Sequence, residues 1–538
     1  MRRKVCAAVA AASVGILGVV VAVVVQPPAS AQGRQVRQVA VLKASNPGAW
    51  DHFGEGGALD GHSGTALAIS GDGGTLAAGA PHEASSATGI NGNQHNDDTY
   101  NAGAVYVFTR TGDRWAQQAY VKASNTGSGD HFGHAVALSA DGSTMAVSAY
   151  WEASSATGIN GNQADNAIPQ AGAVYMFTRS GATWTQQAYI KASNTGRAGV
   201  AGDGDGDQFG NSLALSDDGN TLAVGALTED GAGAGVNGDD EDDSANSAGA
   251  VYVYTRTGTT WAQQAYIKSD SEPAAKAGDL FGYSLGLSAN GNTLAIGVYD
   301  EGGSARTVDG AIDNERGGSG AAYVYTRAGT TWTREGYLKT WNAEGGDSWG
   351  VSISLSDDGH TLALASLDSD CLCTGVVHAP SEAGANDREA NISTGAVAVF
   401  VRTGTRWSQQ AYVKASNTGV EDWFGARLSL SGDGNTLAVG AGNEDSASRG
   451  VNGRQDDESA TEAGAVYLFT RSGSMWTQQA YIKAENAEAY DEFGVTVALT
   501  RDGRTMVAGA RGEDSASAAS PADNSIDEAG ATYVFAID

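Results

Sequence analysis

Carboxylates at alternate positions stand out near the middle of the chain. Asp203, Asp205 and Asp207 are separated by single glycines, and Glu229 and Asp230 follow about twenty residues later. Calcium takes six to eight oxygen ligands in flexible loops, so carboxylates with this spacing suit it. We therefore predict that these five residues bind Ca²⁺. The alternative is that they belong to solvated acidic loops in which aspartates only form turns.

A lysine recurs at one position of a repeated pattern. Seven lysines in register would form a basic ring for an anionic ligand, whereas pairing with acidic loops is the commoner arrangement for charge near a core. We expect pairing. The lysines are Lys43, Lys122, Lys191, Lys268, Lys339, Lys414 and Lys483.

Features typical of catalysis are weak. No pair among the eight histidines recurs at a metal-like spacing such as H-x-x-x-H. Carboxylate pairs, which glycosidases use, are so abundant here that pairing is uninformative. The sequence therefore favours a protein that is not an enzyme. An enzyme acting on glycans, glycosidase- or lyase-like, is the alternative.

These residues sit in a sequence that repeats. Gly73 and Gly503 occupy equivalent turns 430 residues apart, and the six intervals between them average about 72 residues. Each copy holds four runs with period-two alternation, bounded by Gly, Asn, Asp and Ser, which is typical of strands. The predicted strands of the second copy are 132–139, 144–150, 172–178 and 184–193.

Four antiparallel strands that are apolar on both faces describe a blade packed between two others. Seven third strands are present but only six tryptophan-bearing fourth strands, and residues 36–45 match the fourth-strand pattern. We predict an all-β fold: a seven-bladed β-propeller of four-stranded antiparallel blades over residues 32–538. An N-terminal strand joins the C-terminal blade and closes the ring, which leaves no open sheet edge there.

Strand alternation assigns the loops to two faces. The fourth-to-first and second-to-third links share one, which we call the long-loop face, and the tight hairpins share the other. Binding residues concentrate on loops held by a rigid scaffold, so we place the ligand site on the long-loop face. Trp50, Trp151, Trp341 and Trp423 lie outside the fourth-strand position. Exposed aromatics on this face could stack on sugars, although core packing is their commoner role.

Composition and the N-terminal residues indicate the class of partner and the localisation of the protein. The net charge is −30, which disfavours nucleic acid as a partner. Residues 1–31 combine a basic start, an apolar run over 5–25 and Ala29-Ser30-Ala31, the layout of a secretory signal peptide. Because that run is long enough to cross a bilayer, an uncleaved anchor is the alternative. We expect a secreted, periplasmic or cell-surface protein with no membrane span after cleavage.

The segment Asp130-His131-Phe132-Gly133 and the later Gly-Ala resemble the FG-GAP repeat of integrin α-subunit propellers and their bacterial relatives. The fifth blade has Trp349-Gly350 instead, and in the first blade His62-Ser63-Gly64 is expected at the motif position because Phe53-Gly54 lies about ten residues too early. The other matches are Phe209-Gly210, Phe281-Gly282, Phe424-Gly425 and Phe493-Gly494.

The resemblance implies a propeller, and its relatives often bind Ca²⁺ in the hairpin between the first two strands. That hairpin is too short here, so the family's metal positions do not transfer, and our calcium prediction concerns the opposite face. The leading hypothesis is a monomeric binding or adhesion propeller with a protein or glycan ligand on the acidic loop face. The other hypotheses are the glycan enzyme and a structural surface protein without a specific ligand.

Overall fold

A computed structural model describes residues 34–55, 64–196, 206–270, 276–379, 392–520 and 522–538. The signal peptide predicted over residues 1–31 lies outside the described residues. Those described contain 29 β-strands and no helix, so none of their segments is a helix that could cross a membrane. Residues 34–538 make up one compact unit.

The strands form seven antiparallel sheets. The first strand is β1 (Val36–Leu42), and blade 1 contains β2 (Leu67–Ile69), β3 (Thr75–Ala80), β4 (Ala104–Thr111) and β5 (Arg114–Val121). Blade 2 contains β6 (Phe132–Leu138), β7 (Thr144–Ala149), β8 (Ala173–Ser180) and β9 (Thr183–Ile190). Blade 3 contains β10 (Phe209–Leu215), β11 (Thr221–Ala226), β12 (Ala250–Thr257) and β13 (Thr260–Ile267). Blade 4 contains β14 (Phe281–Leu287), β15 (Thr293–Val298), β16 (Ala321–Ala328) and β17 (Thr331–Leu338).

Blade 5 has five strands because a short edge strand joins it. Its strands are β18 (Ile353–Leu355), β19 (Thr361–Ser366), β20 (Val376–Val377), β21 (Ala396–Thr403) and β22 (Arg406–Val413). Blade 6 contains β23 (Leu428–Leu430), β24 (Thr436–Ala441), β25 (Ala465–Ser472) and β26 (Met475–Ile482). Blade 7 contains β27 (Thr496–Leu499), β28 (Thr505–Ala510) and β29 (Ala531–Ile537).

Pairing of the two ends completes the ring. Strand β1 pairs antiparallel with β29, in a register that runs from Val36 opposite Ile537 to Leu42 opposite Thr532. The sheet order β1-β29-β28-β27 makes the N-terminal strand the outermost strand of blade 7. The predicted blade number, the closure and the four-stranded antiparallel plan, to which blade 5 adds one short strand, are confirmed.

Contacts between adjacent blades explain why the same residue types recur in each repeat. A Cβ atom on Gly103 of blade 1 would lie 2.1 Å from the carbonyl oxygen of Phe132 in blade 2, so only glycine fits there. On the outer strands, Trp184 Nε1 donates to Gln118 Oε1 of the preceding blade at 3.0 Å, and the Arg179 guanidinium lies 5.3 Å from the indole. The fourth-strand tryptophans thus pack between blades.

The tight hairpins have a structural role of their own. In blade 2, Ser139 Oγ accepts the Thr144 N–H at 2.9 Å and donates to Asp141 Oδ1 at 2.7 Å. Gly142 has φ +62°, and a Cβ there would lie 2.5 Å from Thr75 Oγ1 in blade 1. The recurring L-S-x-D-G-x-T pattern is therefore a turn that packs one blade on the next.

Two details differ from the sequence predictions. The hairpin between β8 and β9 is shorter than expected. Strand β8 continues to Ser180 and β9 begins at Thr183, so both extend into the loop predicted between them. In blade 1 the expectation for His62-Ser63-Gly64 was wrong: Phe53 packs 5.5 Å from Tyr106, and Gly54 N–H donates to the Gly79 carbonyl at 2.8 Å. Gly494 makes the same bond in blade 7. The aromatic pocket between blades selects the phenylalanine, so the extra residues follow the motif. His62 and Ser63 lie outside the described residues.

Candidate functional site

Buried ion pairs lie beneath the long-loop face. In blade 2, Lys191 Nζ donates to Glu152 Oε2 at 2.9 Å, and both side chains are essentially inaccessible to solvent. Burial lowers the pKa of Lys191, and the charge of Glu152 opposes that shift. The expected pairing is confirmed for six lysines. The pairs are Lys43–Glu513, Lys122–Glu83, Lys191–Glu152, Lys268–Glu229, Lys339–Glu301 and Lys483–Glu444.

Blade 5 departs from this arrangement. Ser369 stands where the other blades have glutamate, and Lys414 Nζ instead donates to Thr394 Oγ1 at 2.6 Å and to the Gly395 carbonyl at 2.5 Å. The following loop contains a disulfide between Cys371 and Cys373.

A second buried carboxylate recurs two residues before the motif phenylalanine. Asp130 accepts the Gly127 N–H at 2.7 Å, and burial together with the charge of Glu152 raises its pKa to about 7. Because this shift recurs around the ring, it reflects the loop fold of each blade and does not mark a catalytic pair. The other aspartates with a raised pKa at this position are Asp51, Asp207, Asp279, Asp422 and Asp491.

The residues predicted to bind calcium are only partly described. Asp203 and Asp205 lie outside the described residues. Asp207 is buried, and burial together with the charges of Glu229 and Asp230 raises its pKa well above the usual range. Glu229 is already the partner of its blade's lysine. Three of the five carboxylates therefore lie in one electrostatically crowded region, and calcium binding there stays a prediction.

The axial channel offers little room for a ligand. Its cavity is about 250 Å³ and is lined mainly by the innermost strands. Arg427 projects into it fully buried, donating to the carbonyls of Gly64 at 2.8 Å and Ala426 at 2.7 Å. Burial lowers the pKa of Arg427 to about 10. Pockets for small molecules are typically about 300–1,000 Å³, so the channel is a poor ligand site.

Three aromatic side chains are exposed on the long-loop face: Trp50, Tyr100 and Tyr490. Trp50 and Tyr490 lie three residues before the motif phenylalanine and are 54% and 61% exposed. Their φ angles are +66° and +68°, in the left-handed region that is costly for residues other than glycine. By contrast, Trp151, Trp341 and Trp423 are only half-exposed. The equivalent residues with positive φ in blades 2, 4 and 5 are Gly129, Gly278 and Gly346.

A histidine cluster lies beside Trp50. Glu55 Oε2 is 3.3 Å from His82 Nε2 and 3.6 Å from His52 Nδ1. His52 Nε2 is hydrogen-bonded to Glu528 Oε2 at 2.8 Å, and Arg511 Nη1 lies 3.5 Å from Glu55 Oε1. Burial opposes ionisation of Glu55, but the two imidazoles outweigh it and hold its pKa well below the usual range. The three ligand-type atoms lie within 4.8 Å of one another, a separation that allows a shared metal ion.

Local spacing between histidines in the sequence does not reveal this cluster. His52 and Glu55 flank the Phe-Gly motif, whereas His82 follows β3 in a different loop. Alignment of the seven repeats would have indicated it. Only blade 1 has a side chain that can bind a metal at all three of these positions.

The sequence also contains two G-x-S-x-G stretches, at 282–286 and 346–350. A catalytic serine of this pattern needs a sharp turn from a strand into a helix. Here the first stretch lies within β14, and its Ser284 donates to the Gly350 carbonyl at 2.7 Å. The second stretch leads towards β18. Neither forms a nucleophile turn.

Three segments match the family model of the FG-GAP repeat: residues 115–177, 407–469 and 476–535. Each match begins at the tryptophan of one fourth strand and ends in the third strand of the next blade. The protein is an FG-GAP β-propeller. No curated protein matches this FG-GAP propeller. Among solved structures, hydrazine synthase of Kuenenia stuttgartiensis is 11% identical over 87% of this chain and 94% of that chain, with a TM-score of 0.44. This likeness is too distant to bear on function.

Proposed function

We propose that this FG-GAP propeller is an exported binding or adhesion protein that holds a protein ligand on its long-loop face. The observation that carries the proposal is the exposure of Trp50 and Tyr490 on left-handed backbone. Such a conformation costs about 1–3 kcal/mol for a residue other than glycine. Glycine occupies this position in four other blades, so the two aromatic side chains are retained at a cost to stability, which favours a role in binding.

The chemistry of this face favours a partner with a basic surface. The protein carries a net charge of −30, and its long loops are rich in Asp and Glu. Aromatic side chains are enriched where protein partners dock, and complementary charge accelerates encounter. Trp50 and Tyr490 therefore provide apolar contact residues on a face whose loops are acidic.

Substitution by the repeat's own residues gives a sharp test. Trp50→Gly and Tyr490→Gly remove the aromatic rings and restore the glycine found in other blades. Met475→Thr is the matched control: Met475 is 52% exposed on the opposite face, and other blades have threonine at its position. Surface plasmon resonance against panels of extracellular proteins, beside a glycan array, would measure binding.

We expect salt-sensitive binding of a basic protein that is lost in the Trp50→Gly, Tyr490→Gly double variant and retained in Met475→Thr. Binding to glycans alone, or protein binding that survives the double variant, would contradict the proposal.

Calcium is proposed to order the acidic loops through Asp203, Asp205, Asp207, Glu229 and Asp230. The crowding that raises the pKa of Asp207 supports this, because a cation would relieve it. Calorimetric titration should show Ca²⁺ binding that is weakened in Asp207→Asn. Asp113→Asn, a change of an exposed carboxylate on the opposite face, should have no effect. No heat of binding at millimolar Ca²⁺ would end this proposal.

Export to the periplasm, the cell surface or the medium is supported by the signal-peptide pattern of residues 1–31. Mass spectrometry of the mature N-terminus should show cleavage after Ala31, and retention of the leader in a membrane fraction would favour the anchor.

An enzyme acting on glycans gains no support from the aspartates two residues before the motif phenylalanine, because their raised pKa recurs around the ring. Release of reducing sugar that is abolished by substitutions on the long-loop face would nevertheless overturn the binding-only function.

A further inference from the structure

The cluster of His52, Glu55 and His82 occupies positions that every blade repeats on the same scaffold. Only blade 1 fills all three with metal-ligating groups. A structural requirement of the repeat therefore does not explain them. The equivalent residues in blades 2 to 7 are His131, His134 and Trp151; Gln208, Asn211 and Thr228; Leu280, Tyr283 and Asp300; Ser348, Val351 and Asp368; Trp423, Ala426 and Asn443; and Glu492, Val495 and Gly512.

Two distances within the cluster are those of ligands around one small cation, and the His52 and His82 ligand atoms lie within 4.8 Å of each other. Bonds of 2.0–2.2 Å in a tetrahedral zinc site place neighbouring ligand atoms about 3.4 Å apart. Glu55 Oε2 lies 3.3 Å from His82 Nε2 and 3.6 Å from His52 Nδ1. Glu55 is 5% exposed, and this oxygen accepts no hydrogen bond from the part of the chain that the structure describes.

The surrounding groups orient these ligands as outer-shell partners do. The hydrogen bond between His52 Nε2 and Glu528 Oε2 at 2.8 Å orients the ring so that Nδ1 faces Glu55 at 3.6 Å. Arg511 lies against the other Glu55 oxygen at 3.5 Å, which leaves Oε2 for the ion. The His82 ring packs edge-on against His131, with centroids 5.0 Å apart.

We propose that His52 Nδ1, Glu55 Oε2 and His82 Nε2 bind one divalent transition-metal ion, with Zn²⁺ as the best fit, and that the fourth coordination position opens to solvent. Two imidazoles and one carboxylate are a ligand set that zinc takes with a water molecule. Calcium prefers oxygen ligands, so this site is distinct from the acidic loops of blade 3. His82, 25% exposed, provides the open side on the long-loop face.

The position of the site gives the metal a second consequence. His52 and Glu55 follow β1, the strand that closes the ring, while His82 belongs to blade 1 and Glu528 to blade 7. A bound ion would therefore tie the closing segment to both neighbouring blades. Because it binds only the folded chain, it should raise the melting temperature.

The test uses the metal-free full chain titrated with Zn²⁺ in a calorimeter and with Co²⁺ in a spectrophotometer. The wild type should bind one equivalent with high affinity, and the cobalt form should show the visible absorption of a tetrahedral site. Glu528→Gln should weaken zinc binding roughly 10- to 100-fold, as removal of an outer-shell partner does, and His82→Ala should weaken it further. Zn²⁺ should raise the melting temperature of the wild type but not that of His82→Ala.

His360→Ala is the matched control, because His360 is an exposed histidine 3.3 Å from Asp358 on the opposite face. It should bind zinc as the wild type does. Circular dichroism would verify that His82→Ala is folded. Equal zinc affinity in His82→Ala and wild type, or no binding at micromolar Zn²⁺, would overturn the proposal and leave a His52 imidazolium paired with Glu55 as the explanation of the cluster.

Discussion

The lysine–glutamate pairs and the His52–Glu55–His82 cluster both bury ionisable groups beneath the long-loop face, yet only the pairs recur from blade to blade. Each lysine that ends a fourth strand meets a glutamate that follows a second strand, in six of seven blades. The cluster occurs once, at the junction of blades 7 and 1. Both sets use the same loops, so the backbone does not explain the difference.

This contrast separates two uses of one scaffold. A charge pair that recurs in six blades meets a structural requirement of the blade itself. Each buried lysine has the opposite charge of a glutamate beside it, which offsets the cost of removing both from water. A set of side chains found in one blade instead indicates a ligand or contact that is specific to that blade. Trp50 and Tyr490 belong to the second kind: Trp50 lies in the link that enters blade 1, and Tyr490 lies in the link that enters blade 7.

The largest effect should come from breaking a repeated pair. Lys191→Met leaves Glu152 buried without its cation, which should lower the free energy of unfolding by about 3–5 kcal/mol. Urea denaturation measures this loss. The double variant Lys191→Met, Glu152→Leu should recover much of it, because no buried charge remains. A loss below 1 kcal/mol in the single variant would mean that the pairs are not structural.

The repeated aspartates should make stability depend on pH. The pKa of Asp130 is about 7 in the folded chain against an ordinary value of 3.8, so between those values the folded chain holds a proton that the unfolded chain has released. The free energy of unfolding should therefore fall as the pH rises from 4 to 7, by about 1.4 kcal/mol for each unit of pKa shift.

Asp130→Asn keeps an acceptor for Gly127 and removes the titration, so its stability should fall less over this range. Urea denaturation at several pH values would measure the difference. Identical pH profiles of the variant and the wild type would contradict the raised pKa.

The cluster should contribute little to stability without metal. His82 is partly exposed and has no equivalent histidine in the other blades, so His82→Ala should change the free energy of unfolding by under about 1 kcal/mol in the presence of a chelator. Denaturation in EDTA would measure this. If His82→Ala proved as damaging as Lys191→Met, the distinction between repeated and unique groups would fail.

The smallest expected effect is a gain in stability. Trp50→Gly relieves a left-handed conformation but adds backbone freedom to the unfolded chain, so the two changes nearly cancel and leave a stabilisation of up to about 1 kcal/mol. The melting temperature would show it. A clear loss of stability would mean that the Trp50 ring supports the fold, and its exposure would then not indicate binding.

Much of the architecture could be predicted because it is encoded locally and repeated. The alternation in runs such as 144–150 predicts strands, and the turn glycines mark their ends. The match of residues 36–45 to a fourth strand predicts closure, since the C-terminal blade lacks that strand. The lysine pairing was also accessible, because a lysine near a core needs a counter-charge.

The sequence by itself therefore determined the seven blades, the closing strand and the long-loop face, because short-range periodicity specifies strands and the repeat multiplies one packing solution. The tertiary structure alone decided that Phe53 takes the motif position, that left-handed backbone holds Trp50 and Tyr490 exposed, and that His52, Glu55 and His82 meet. The reason is physical: a ligand cluster forms where ring geometry brings together loops from different strand pairs, and no spacing along the chain records that distance.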